Sequence, residues 1–205
     1  MGTQEYARNV FINCPFGTEY REIFYAIVFA VFACGYIPRC ALELGDGGEV
    51  RIQEIARIIS ECKFGIHDIS RTELDTINNL PKFNMPLELG LFLGAKKYGS
   101  KKDKSKVCLI LDREDYRYQA FISDISGQDI KSHNNDQYMV IPTIRDWLRN
   151  SSGRLIIQGG SAIRSRYQLF TTELPDLCSV LKLEPDNLIF NDYALLVSEC
   201  LKQNP

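Results

Sequence analysis

Short apolar runs along the chain alternate with longer stretches whose apolar residues recur at helical spacing. "NVFINCPF" (9–16) reads as an apolar strand that breaks at Pro15. From Glu19 to Cys34 apolar residues fall on nearly every face, which predicts a buried helix ended by Gly35. "YIPRCAL" predicts a second strand and "LGDGGE" a glycine-rich turn. "EVRIQEIARIISECK" sets Val50, Ile52, Ile55, Ile58 and Ile59 among charges at near-helical spacing, the pattern of an amphipathic helix. "FGIHDIS" predicts a third strand and "RTELDTINNLPKF" a long polar connection. "FNMPLELGLFLGAKK" (83–97) reads as a helix apolar nearly all round, expected to be buried, and "KVCLILD" as a buried strand after the solvated linker "YGSKKDKSK".

This strand–helix rhythm predicts an α/β fold. The expected form is a flavodoxin- or Rossmann-like parallel sheet of about 4–5 strands with helices on both faces. After Asp112 "EDYRYQAFISDISGQDI" mixes a short helix with a possible edge strand. Three helical stretches follow, the first broken by Pro142. The expected organisation is an α/β domain over residues 1–130 and a helical C-terminal region over 131–205 packed on it.

Composition narrows the class. A chain of 205 residues, 45% hydrophobic and 24% charged, has a core that needs no disulfides. Its seven cysteines are scattered without a C-x-x-C pair, which predicts buried thiols in a cytoplasmic protein. Two histidines, far apart in sequence, give a zinc site little support. A net charge of −2 calls for neither nucleic acid nor anionic membrane. The run "IFYAIVFAVFAC" is shorter than the roughly 20 residues of a membrane span, and no basic leader or signal-peptidase site is read.

In open parallel sheets ligands bind beyond the carboxyl ends of the strands. Those ends carry "NCPF" (Asn13, Cys14, Pro15, Phe16), "LELGD", "HDISR" with Asp68 and Arg71, and "DRED". The helix bearing Glu88 starts at the same rim, so Asp68 and Glu88 are expected to face one cleft, with Phe16 as an aromatic wall and Arg71 as a cation. Asn84 suits an N-cap and Pro86 a first turn, which places Glu88 where the helix dipole favours its anion. Glu88 either complements that dipole or marks a site, since a buried acid is rare unless paired or used. Asp68 either caps a turn or acts on a ligand. Cys14 lacks a nearby histidine in sequence, and His67 alternates with apolar residues as a core histidine does. A dinucleotide fingerprint, a P-loop and a G-x-S-x-G elbow are all missing.

"VFINCPF", "EIARIISECKFGIHDIS" and "NMPLELGLFLGAKK", in this order and spacing, resemble the nucleoside 2-deoxyribosyltransferase-like superfamily and the related TIR-like domains that cleave NAD. The resemblance covers roughly residues 8–112; the insert "RTELDTINNLPKF" is long, and "NMP" replaces the usual glycine-threonine before the glutamate. It implies Glu88 as the catalytic glutamate and Asp68 as the strand-end aspartate. Phe16 is the nearest match to a base-stacking residue, and Asn13, Cys14, Pro15, Arg71 and Asn84 complete the implied substrate site. The implied activity is cleavage of a ribosyl C–N bond of NAD or a related nucleotide, with bacterial anti-phage defence signalling as the implied setting. NAD enters as substrate, with no cofactor or metal. A homo-oligomer and a partner effector are the implied protein partners. The alternatives are a non-cleaving nucleotide sensor that docks an effector and a deoxyribosyltransferase of nucleotide salvage.

Overall fold

The computed structural model describes residues 3–43, 48, 50–74, 79–153 and 156–203. Five strands, β1 (Asn9–Asn13), β2 (Ile37–Cys40), β3 (Phe64–Asp68), β4 (Val107–Asp112) and β5 (Ile130–Ser132), form one sheet. All pairings are parallel, in the order β2-β1-β3-β4-β5, which is the flavodoxin-like arrangement. The helices are α1 (Thr3–Tyr6), α2 (Arg21–Ala33), α3 (Arg51–Glu61), α4 (Asn84–Tyr98), α5 (Gln137–Ser152), α6 (Gly160–Leu181) and α7 (Phe190–Gln203). The parallel α/β architecture expected from the sequence is therefore present, with its helical C-terminal region.

Alternation along each strand sorts the core into two layers. Val10 and Ile12 of β1, Phe64 and Ile66 of β3, and Leu109 and Leu111 of β4 pack into one cluster with α2, α5, α6 and α7. Phe11 faces the other way, onto Ile55, Ile58 and Ile59 of α3 and Phe92 of α4. A strand buried on both sides reads as a continuous apolar run, as β1 does. Lys106 ties α3 to the start of β4. Its buried ammonium donates to the carbonyls of Ile59 and Cys62 at 2.6 Å each, closing the helix's last turn.

Two local expectations change. Helix α4 is apolar but only partly covered: Glu88, Leu89 and Phe92 are buried, whereas Leu87 is 55% exposed. Pro142 lies inside an unbroken α5. Its missing N–H and ring cost about 3 kcal/mol. Val140, Ile141, Ile144 and Leu148 are fully buried in return, each worth roughly 1.5–3 kcal/mol. The fifth strand runs to Ser132, so the sheet crosses residue 130, and α5 packs beside α2 in the same core. Most of the glycine-rich turn, residues 44–47 and 49, and part of the polar connection, residues 75–78, lie outside the described residues. Among the described residues no helix is long and apolar enough to cross a membrane, and no disulfide forms.

Gly65 sets the distance between β3 and α4. A Cβ there would meet His67 Nε2 at 2.7 Å and the Phe92 ring at 2.8 Å. Gly65→Ala is expected to destabilise the fold by about 1–3 kcal/mol, read as a lower denaturation midpoint in urea at unchanged slope.

Candidate active site at the strand ends

The strand order reverses between β1 and β3, and the residues at their carboxyl ends carry most of the expected site. Asn13 follows Phe11 onto the α3/α4 face. Its amide donates to the Met85 carbonyl at 2.9 Å, in the first turn of α4, and lies 3.1 Å from His67 Nδ1. Burial pushes His67 down to about 3, so the ring is neutral. With Nδ1 facing an amide donor, its proton is assigned to Nε2. Asn13 is wholly buried, so it fixes the start of α4 against β1 instead of lining an open cleft.

Glu88 stands three residues beyond Met85 on α4. It is 6% exposed, and no hydrogen bond reaches its carboxylate among the described residues. The sequence suggests an anion held ionised by the helix dipole. Burial outweighs that effect and pushes its pKa from 4.5 up to about 7, with partial relief from Arg51 at the start of α3. At neutral pH such a carboxyl is divided between its two forms, as a group poised for acid, base or nucleophilic work must be.

Asp68 lies elsewhere. It follows Phe64 and Ile66 onto the α2/α5 face and is fully buried. Oδ2 accepts from the Tyr20 hydroxyl at 2.6 Å, and Oδ1 accepts from the Ser70 amide at 2.8 Å. His133 Nε2 is 2.9 Å from Oδ2, near enough for a charge contact but off the line of a hydrogen bond. Asp68 and Glu88 thus occupy opposite faces of the sheet and do not line one cleft. Between them sits the buried Cys14. Its thiol is pushed well above the ordinary range by burial, then by Asp68, Cys40 and Glu88. It is held protonated and is a poor nucleophile.

The remaining expected residues are dispersed along the rim. Pro15 and Phe16 are half-buried, and the Phe16 ring stands edge-on to Phe24 at 5.3 Å while touching both core layers. Arg71 pairs with Glu19 at 2.8 Å. Asn84 is exposed and forms the first residue of α4; Phe83 takes the N-cap position, without a side-chain cap. Sequence reasoning singled out neither Tyr20 nor His133, and it named Arg113 only within the strand-end stretch "DRED". Tyr20 and His133 are distant partners of Asp68, whereas Arg113 carried a usable signal, its place directly after a strand-end aspartate.

A cavity of about 410 Å³ opens at this rim between the ends of β3 and β4 and the starts of α2 and α5. Arg71, Arg113, Glu19, Tyr20 and Gln137 are among its lining residues. A larger one, about 530 Å³, lies between α5 and β4, with Trp147 and Cys108 in its wall. It holds none of the expected site residues, so the rim cavity is the better candidate. Among the described residues no group of three or more His, Cys, Asp or Glu side chains is placed to hold a metal ion. No protein-family model, curated protein or solved structure matches the chain.

Because the folded state raises the Glu88 pKa, it binds that proton more tightly than the unfolded chain between pH 4.5 and about 7. Stability is therefore lost as pH rises through this window. Glu88→Gln is expected to match the wild type near about pH 4 and to exceed it by up to about 3 kcal/mol near about pH 8, measured by chemical denaturation.

Proposed function

We propose that the chain is an N-glycosidase that cleaves the ribosyl C–N bond of NAD or a related nucleotide with a cationic leaving group. The observation that carries this reading is the buried Glu88, without a hydrogen-bond partner for its carboxylate among the described residues and poised near neutrality beside the β1/β3 reversal. Breaking such a bond develops positive charge at the anomeric carbon. A desolvated carboxylate stabilises that charge or forms a bond to it far better than one in water.

Leaving-group chemistry narrows the choice. A neutral nucleoside base needs a proton as it departs, and the strand-end acid Asp68 is sealed on the other face of the sheet. Nicotinamide in NAD is already cationic and leaves as a neutral molecule with the C–N electron pair. Water then adds to the anomeric carbon, giving ADP-ribose and one proton. The order "NCPF", "HDIS" and "NMPLELG" supports the same reading through its resemblance to NAD-cleaving TIR-like domains.

Purified protein at high concentration, incubated with NAD, is expected to release nicotinamide on chromatography. Glu88→Gln is expected to lower the rate by about 10²-fold or more while remaining folded. Below pH 7 the wild-type kcat/KM should fall about tenfold per unit as Glu88 protonates, and above it reach a plateau. Full turnover by Glu88→Gln would remove this residue from the mechanism. Nucleotide binding without cleavage would turn the reading to a sensor.

A further inference from the structure

We propose that Arg71 and Arg113 form a phosphate clamp, and that the rim cavity takes the pyrophosphate of the nucleotide whose ribosyl carbon is presented to Glu88. The ligand's orientation rests on the glycosidase reading; the clamp itself does not.

The two arginines follow the ends of adjacent strands, Arg71 just beyond Asp68 of β3 and Arg113 directly after Asp112 of β4. Their side chains line one cavity of about 410 Å³, together with Thr18, Asn135 and Gln137, whose hydroxyl and amides add uncharged donors. That volume lies within the roughly 300–1,000 Å³ of small-molecule sites. Guanidinium groups match phosphate oxygens in pairs, so two of them in one cavity are suited to a doubly charged pyrophosphate.

Their present partners are easily displaced. Arg71 pairs with Glu19, whose side chain is 76% exposed. Arg113 pairs with Glu73 and Glu114, 42% and 64% exposed. Exposed ion pairs are worth about 0–1 kcal/mol, so exchanging such carboxylates for phosphate costs little. Arg117 is the contrast. It donates to the buried Asp112 carboxylate at 2.8 Å and to the Ile69 carbonyl at 2.8 Å, which fixes it as a brace for the rim. Glu22 also lines the cavity, so at rest two glutamates offset the two arginines.

The cavity meets the strand ends through Tyr20. Tyr20 lines it and donates to Asp68, and Asp68 and Glu88 both act on the Cys14 thiol between them. Glu88 is not among the cavity's lining residues and lies on the α4 side of the sheet, across the end of β1 from Asp68. A ligand whose ribose and pyrophosphate are a few bonds apart has the form to pass over that end.

Titration calorimetry of the full chain with inorganic pyrophosphate at low salt tests the clamp directly. The wild type is expected to bind. Arg71→Gln and Arg113→Gln should each weaken binding about tenfold or more. Glu19→Gln, an exposed change that leaves packing alone, should tighten binding a few-fold by removing a competitor. If an arginine variant fails to fold, Glu19→Gln decides: tightening supports the clamp and unchanged affinity overturns it. No heat from millimolar pyrophosphate with the wild type, or undiminished binding in both arginine variants, also overturns it. Pyrophosphate binding without NAD cleavage would retire the glycosidase reading and leave the clamp. Cleavage with a KM indifferent to both arginines would retire the clamp alone.

Discussion

A strand covered on both faces must send consecutive side chains to opposite layers, and at the rim of this sheet that alternation separates the acids. Phe64, Ile66 and Asp68 go to the α2/α5 layer, while Gly65 and His67 go to the layer of α4. Asp68 is thereby delivered to Tyr20 and His133, whereas Glu88 lies in the layer of α4, the side that the buried Asp112 of β4 also shares by its register with Ile110. The separation of Asp68 from Glu88 thus begins with a period of two along β3.

What holds Glu88 in place is polar and expensive. Asn13 joins the end of β1 to the first turn of α4, and its neighbour His67 is buried without charge. Asn13 Oδ1 and His67 Nε2 find no partner among the described residues, and each such atom costs about 1–3 kcal/mol. Glu88 adds the desolvation of a carboxyl. Costs gathered at one rim, inside an otherwise apolar core, mark a place where stability yields to chemistry.

The strands β1, β3 and β4 were legible because they are largely apolar runs of the right length, and α3 because its charges fall on one side. Helix α4 was legible as a helix but not in its burial: near-uniform hydrophobicity carries no direction, and Leu87 is exposed despite it. Pro142 misleads because propensity is local, whereas the four buried side chains that outweigh it act through α2 and the core. Glu88 could be picked out as an acid in an apolar helix. The partners of Asp68 could not, since Tyr20 and His133 meet it only through the fold, from 48 residues before it and from beyond β5. Arg71 and Arg113 stand apart in sequence and converge only because β3 and β4 are neighbours.

Cys14 gives this rim a built-in silence. Its sulfur is sealed at 0% exposure, and burial together with the carboxylates beside it suppresses the thiolate. An alkylating reagent would react there only when the end of β1 lifts away from its neighbours. Its labelling rate would therefore count those openings, and a ligand that bridges the two sides of the strand end would slow it.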